Sequence, residues 1–419
     1  MVSEPKPDIK ASLQAARRLA AAKQHLAGEL PARATKEKLI SLVRDLAYVQ
    51  WDPVPIVAPS HIISFWSRVG DFRLEDLEDL LWREKKLFLH WTPVASIVLS
   101  EDFPLYFSLM KRYPESLNKG WANHVPRARK FLAGHRKLRE SVLSELKGGP
   151  LTLTQFKDYA RTRRSADGWS SGSDVSNMLS HLLMSGEVVV VGHEGNQNVW
   201  GLPEMILPGW KKAEELSAEE FERRAAERAI GALGTASTGE IYYYFVRGRY
   251  QNLERALEWL LADGRIRRVQ VEGVPGRDQR YVRASDVRLL ESITDGEWWP
   301  RLSLIPPFDN ALAGNARLRK LYDFEYSREQ FLPKEKRRFG TYVIPLFWDD
   351  SFIGRIDPEM DRKGSRLVVN SVHAEPGAPE GKEVASAIAD TIGRFGRFLG
   401  ADEVVYSAHV PPGWKGPLR

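Results

Sequence analysis

The chain has no cysteine among its 419 residues. That absence excludes disulfides, cysteine-ligated zinc, iron–sulfur clusters and thiol nucleophiles together. No segment approaches the ~18 consecutive apolar residues that a membrane span requires, so no membrane partner is expected. Nine histidines are present, but none forms a His-x-x-x-His or similar ligand pair, so neither a metal nor another cofactor is expected. The opening Met1-Val2-Ser3-Glu4-Pro5 is polar and no apolar run with a small-residue cleavage site follows, which leads us to expect a cytoplasmic protein. Neither sign of charge dominates. Lys and Arg number 61 against 55 Asp and Glu, a net charge of +6, and the pI of about 9.2 favours a polyanionic partner. Leu74-Glu75-Asp76-Leu77-Glu78-Asp79 is acidic, so any basic surface must be segregated from it.

What is present is globular in texture, with 43% hydrophobic residues, and too long for one ordinary core. Ala11 to Leu26 and Lys36 to Leu46 read as amphipathic helices, the second behind a Thr35 N-cap. His61 to Gly70 and Leu74 to Trp82 continue as helices, and Leu87 to Trp91 reads as a strand. The order recurs. Leu151 to Phe156 starts a helix, Ser173 to Met184 is another, and strands at Glu187–Gly192 and Val199–Leu202 follow. Thr238 to Ile241 enters a helix, Leu253 to Leu261 is the next, and strands at Arg265–Val271 and Gln279–Val282 close the third copy. The echo of Leu182-Leu183-Met184-Ser185-Gly186 in Leu260-Leu261-Ala262-Asp263-Gly264 marks an internal repeat. From about Trp298 the texture becomes β: Tyr342–Trp348, Phe352–Asp357 and Arg366–His373 alternate as strands, and a helix at Lys382–Leu399 and a strand at Val404–Tyr406 follow. The expected fold class is α+β: three tandem winged-helix units (residues 1–145, 146–215 and 216–290) followed by a small β-rich, barrel-like domain (residues 291–419).

One stretch carries chemistry, Tyr48-Val49-Gln50-Trp51-Asp52-Pro53. Proline forces the preceding helix to have stopped, and in extended backbone Gln50 and Asp52, two apart, share one face. From the residues alone two readings stand. Asp52 caps the turn that follows and Gln50 is merely exposed, or the amide and carboxylate together hold a water and stabilise a positive transition state. His61 at a helix N-terminus is either satisfied by backbone or meets a phosphate. Lys334, Lys336, Arg337 and Arg338 form the densest basic cluster, and Arg362, Lys363 and Arg366 lie at a hairpin tip. Each set suits a DNA backbone as well as it suits a solvated face.

The stretch around Gln50-Trp51-Asp52, with Ser60-His61 and Phe65-Trp66-Ser67-Arg68-Val69-Gly70, resembles the winged-helix DNA glycosylase superfamily, the alkylpurine glycosylases of the AlkZ/YcaQ type that unhook interstrand crosslinks. Pro307-Phe308-Asp309-Asn310, Lys336-Arg337-Arg338-Phe339-Gly340 and Gly354-Arg355-Ile356-Asp357-Pro358 are similar to that family too, in the same order along nearly the whole chain. The resemblance implies a catalytic Gln-Φ-Asp motif at Gln50 and Asp52, the form associated with the broader-substrate branch. One departure stands out: Ala311-Leu312-Ala313-Gly314 follows Asn310 where the family often has an aspartate-arginine pair.

The chemistry fits a single carboxylate. N7-alkylated guanine already carries a positive charge and leaves without a general acid, so one carboxylate can stabilise the sugar cation and deprotonate water. Neutral sugars need two. The expectation is a monofunctional, cofactor-free DNA glycosylase, monomeric, acting on double-stranded DNA that contains alkylated or crosslinked purines. Its rival is a non-catalytic winged-helix transcriptional regulator, which would carry a base-reading helix rich in Arg, Asn and Gln. Ser173-Asp174-Val175-Ser176-Asn177-Met178 is poor in them. A third class, a protein-interaction scaffold, would show no salt-sensitive DNA binding.

Overall fold

A computed structural model of the chain describes residues 7–53, 55–92, 94–117, 123–157, 174–195, 197–207, 215–274, 278–406 and 410–418. The fold is α+β and divides into two compact units interleaved along the chain. One comprises Met1–Arg73, Glu227–Tyr244 and Glu258–Arg419; the other comprises Leu74–Ala226 and Phe245–Leu257.

The first unit is built on two sheets. In the larger, Ser303–Leu304, Ile344–Trp348, Ser351–Asp361 and Arg366–Ala374 pair antiparallel in that order, and Glu403–Tyr406 joins parallel to the last. Register shifts at Leu346/Phe347 and at Asp357/Pro358 curl it. Pro358 lacks an N–H and is tolerated inside a paired strand because it sits at such a bulge. The helix Lys382–Phe398 covers the sheet with Val384, Ala385, Ile388, Ile392 and Phe395, a helical-period stripe. Gly396 lets it approach closely, since a Cβ there would meet Val404 at 3.3 Å.

In the smaller sheet the order is Ile9–Ala11, Ile266–Val271, Arg280–Arg283, Ala236–Ser237. Ile266–Val271 and Arg280–Arg283 are the two strands expected of the third repeat, and Ala236–Ser237 is a further short strand. Ile9–Ala11 adds a parallel edge from the start of the chain, a strand too short to announce itself by alternation. Its inward side joins Ala15, Ala16 and Leu19 against Val269, Val271, Val282, Leu290 and Ile293.

The second unit holds a hairpin, Leu87–Trp91 against Ala95–Leu99. It also holds the nearly all-apolar helix Phe103–Lys111 and the helices His124–Gly134, Arg136–Leu146 and Asp174–Met184. A three-stranded sheet runs Leu151–Thr152, Gln197–Gly201, Val189–Glu194. Its core joins Val142 and Leu146 to Val175, Met178, Leu179, Leu182 and Val188. The helix expected to start at Leu151 is instead a strand followed by one 3-10 turn, Leu153–Gln155. The reason is local: the Gln155 side chain accepts from the Thr152 N–H at 2.8 Å, closing a capping box on a single turn.

The internal repeat is visible in the hydrogen bonds. Gly186 and Gly264 take φ of 72° and 71° at the ends of their helices. Glu187 N–H then donates to Leu182 O at 2.8 Å and Arg265 N–H donates to Leu260 O at 2.9 Å, the same glycine-terminated stop made twice.

One ion pair anchors the first unit. Arg68 and Asp309 have fully buried side chains and make a two-pronged contact, Nη1 to Oδ2 at 2.6 Å and Nη2 to Oδ1 at 2.5 Å. Arg68 also donates to Gln24 O at 2.9 Å and to Ser64 O at 3.2 Å, while Ser64 Oγ donates to Asp309 Oδ2 at 2.7 Å. Breaking one side of such a pair strands the other charge in a dry core. Arg68→Met is expected to destabilise the protein by roughly 3–5 kcal/mol, read as a fall in the thermal midpoint. A midpoint unchanged within error would show that the pair anchors nothing.

Candidate active site

The helix Lys36–Leu46 buries Leu39, Leu42, Val43 and Leu46 and ends at Ala47, whose φ of 68° is left-handed. A non-glycine residue there is strained and must be held by its surroundings. Tyr244, Asn310 and Gln24 hold it. Tyr244 Oη donates to Leu46 O at 3.0 Å, and Asn310 Nδ2 donates to Tyr48 O at 2.9 Å and to Tyr244 Oη at 3.1 Å. Gln24 Nε2 donates to Tyr244 Oη at 3.3 Å and to Ala232 O at 2.6 Å. The carbonyls on either side of Ala47 are therefore pinned by one buried network. Asn310 follows Asp309 directly, so the Arg68 ion pair and the network are a single construction.

The chain leaves that turn as the short strand Val49–Gln50. Val49 is buried, while Gln50, Trp51 and Asp52 are half-buried. Trp51 stacks on His61 with centroids 4.1 Å apart and ring planes at 20°. His61 Nδ1 lies 3.1 Å from the Asp52 carbonyl, and since a carbonyl only accepts, that nitrogen carries the proton. His61 is itself only 4% exposed. It thus contacts the backbone of the motif.

The basic candidates separate by environment. Lys334, Lys336 and Arg338 are exposed, and the loop bearing them is fixed by Glu329, whose buried carboxylate accepts from the N–H groups of Arg338, Phe339 and Gly340 at 2.9, 2.8 and 3.2 Å. Arg337 is spent on Leu332 O and Thr341 Oγ1, both at 3.0 Å. At the hairpin tip, Arg362 donates to Val57 O at 3.0 Å and so ties the hairpin to the segment after the motif. Arg366 pairs with Asp361 at 3.0 Å, and Lys363 is exposed.

One residue not proposed for the site from the sequence, Tyr342, feels the charge of Asp52. Tyr342, 1% exposed, has its phenol pushed well above the usual range, first by burial and then by the Asp52 carboxylate; the Ser60 hydroxyl acts in the opposite sense. The basic loop leads straight into Tyr342, whose N–H donates to Asp357 Oδ1 at 2.7 Å. Gly340, with φ of 150°, must be glycine, because a Cβ would lie 2.2 Å from Asp357. The only sequence signal was indirect: the stretches ending in Gly340 and containing Asp357 were both family-like, and here they lock together. Among the described residues no group of His, Asp and Glu has the arrangement of a metal site, and no helix is long and apolar enough to cross a membrane.

In architecture the chain is similar to the Streptomyces sahachiroi DNA glycosylase AlkZ. The TM-score is 0.64 over 95% of this chain and 99% of that one, at 16% sequence identity, a likeness of fold. The sequence profile described as DNA glycosylase AlkZ-like matches residues 43–398, a span that takes in Gln50, Asp52, Arg68, Asp309, Asn310 and four of the five strands of the curled sheet. The chain belongs to the AlkZ-like DNA glycosylase family; it is an enzyme, and its substrate is DNA.

Exposed cations that neutralise phosphates release counterions on binding. Replacing Lys334, Lys336 and Arg338 together by Gln is expected to weaken DNA binding and flatten the slope of log affinity against log salt, measured by fluorescence anisotropy. An unaltered slope would place the footprint elsewhere.

Proposed function

We propose that this glycosylase removes N-alkylated purines of the N7-alkylguanine type, including purines tethered in interstrand crosslinks, by monofunctional hydrolysis. The observation that carries the reading is the pairing of one amide, Gln50, with one carboxylate, Asp52, half-buried on a backbone held by a rigid network. Preorganised charge is worth most where it needs no rearrangement at the moment of reaction. The cationic purine supplies its own leaving-group activation. Asp52 stabilises the positive sugar and takes a proton from water, and the Gln50 amide orients that water. Water forms the new bond to C1′, and the electron pair of the glycosidic bond returns to N9, neutralising the base. Lys334, Lys336, Arg338 and Lys363 hold the phosphates of double-stranded DNA, and the enzyme works as a cytoplasmic monomer. The regulator reading gives way to family membership.

Asp52→Asn keeps the shape and removes the charge. Single-turnover excision from an N7-methylguanine duplex is expected to fall by on the order of 10²-fold or more, with DNA affinity and melting close to wild type. Gln50→Ala slows excision less. If Asp52 were only a turn cap, Asp52→Asn would instead melt early, by roughly 0.5–2 kcal/mol, and excise at the normal rate; that result would end the catalytic reading.

Strand cleavage is not expected to accompany base release. Lyase chemistry needs an amine to form a Schiff base with the sugar, and the motif carries no lysine beside Gln50 or Asp52. A protein–DNA adduct trapped by borohydride would contradict this.

A further inference from the structure

Two buried hydroxyls, Ser60 Oγ and Tyr342 Oη, lie near each other, the phenol within the field of Asp52, and the mechanism above uses neither. Ser60 opens the helix Ser60–Val69 and Tyr342 ends the loop that Asp357 and Glu329 fix; each is 1% exposed. Ser60 Oγ and Tyr342 Oη are close enough for the serine to ease the ionisation of the phenol, yet their geometry falls short of a hydrogen bond. Among the described residues neither atom has a partner in hydrogen-bond geometry. Buried polar atoms are almost always satisfied, and the exceptions mark a place where a water or a substrate completes the set. Here two such atoms lie near each other, the phenol in the field of the Asp52 carboxylate, whose Oδ2 is itself shielded from bulk solvent. The surrounding structure is built to keep them there: Gly340 is bare so that Asp357 can grip the Tyr342 backbone.

We infer that Tyr342 is a further catalytic residue that binds the attacking water, with Ser60 as its positioning partner. This rests on the reading of Asp52 as the group that takes the water's proton. A water has two O–H bonds and two lone pairs. Asp52 accepts one O–H and the Gln50 side-chain oxygen accepts the other. The Tyr342 phenol donates to one lone pair, and Ser60 donates to the phenol oxygen. Only the second lone pair is left, and it faces C1′. As the C1′–O bond forms, the C1′–N9 bond breaks with its electrons to the base and the proton passes to Asp52, so atoms and charge balance. The phenol must stay protonated for this role, and burial together with the Asp52 charge keeps it so.

The test is Tyr342→Phe, assayed by single-turnover excision of N7-methylguanine from a duplex, with DNA affinity and melting measured in parallel. Excision is expected to fall by about 10–100-fold, at unchanged affinity. The thermal midpoint should be no lower than wild type, because the lost hydroxyl has no partner to leave behind. Ser60→Ala should slow excision less, and adding it to Tyr342→Phe should slow the reaction by less than the product of the two effects. Wild-type excision by Tyr342→Phe, while Asp52→Asn remains slow, would overturn this inference and leave the carboxylate reading standing. Wild-type rates in both variants would overturn both.

Discussion

The buried pair between Arg68 and Asp309 is the constraint on which the site depends. Two opposite charges in a dry interior are tolerable only with good geometry and satisfied surplus donors. Both conditions hold, through Ser64, the Gln24 carbonyl and the two-pronged contact itself. Fixing Asp309 fixes Asn310, and Asn310 grips the Tyr48 carbonyl two residues before Gln50. A strained left-handed Ala47 is thereby held between two pinned carbonyls. Strain of this kind persists where a structure over-determines it, and here it sets the angle at which the motif leaves its helix.

Around the motif, position is supplied at several points rather than one. His61 orders the Asp52 backbone and supports Trp51 from beneath. The hairpin tip reaches back through Arg362 to Val57. Glu329 gathers three successive N–H groups and so fixes the basic loop that leads into Tyr342. Exposed cations and a phenol that feels the Asp52 charge thus arrive on one short segment. A reaction that needs little covalent help from the protein is served by this arrangement, because accurate placement and fixed charge are what it requires.

Much of this was legible in the sequence because its signals are local. The strand Ile344–Trp348 is a continuous apolar run, Arg366–Ala374 largely alternates, the repeat stops at Gly186 and Gly264, and Gln50 and Asp52 sit two apart in one motif. What could not be read was non-local or unpatterned. Asn310 meets Tyr48 across 262 residues and Tyr244 meets Leu46 across 198, contacts for which no spacing rule exists. Phe103–Lys111 is buried on nearly every side and shows no amphipathic stripe. Tyr342 reads as one more strand aromatic until the fold brings Asp52 to it. The sequence could not show that Arg362 reaches the Val57 carbonyl or that His61 reaches the Asp52 carbonyl.

The account turns on hydrolysis of a cationic purine by this chain, and one measurement bears on it most directly. Purified protein is incubated with two duplexes of the same sequence, one carrying a single N7-methylguanine, and half of each reaction is then heated in alkali. The account predicts strand breaks at the lesion only after alkali, rising with enzyme concentration, and none in the undamaged duplex. An N7-methylguanine duplex that is bound yet yields no enzyme-dependent alkali-labile site would contradict it.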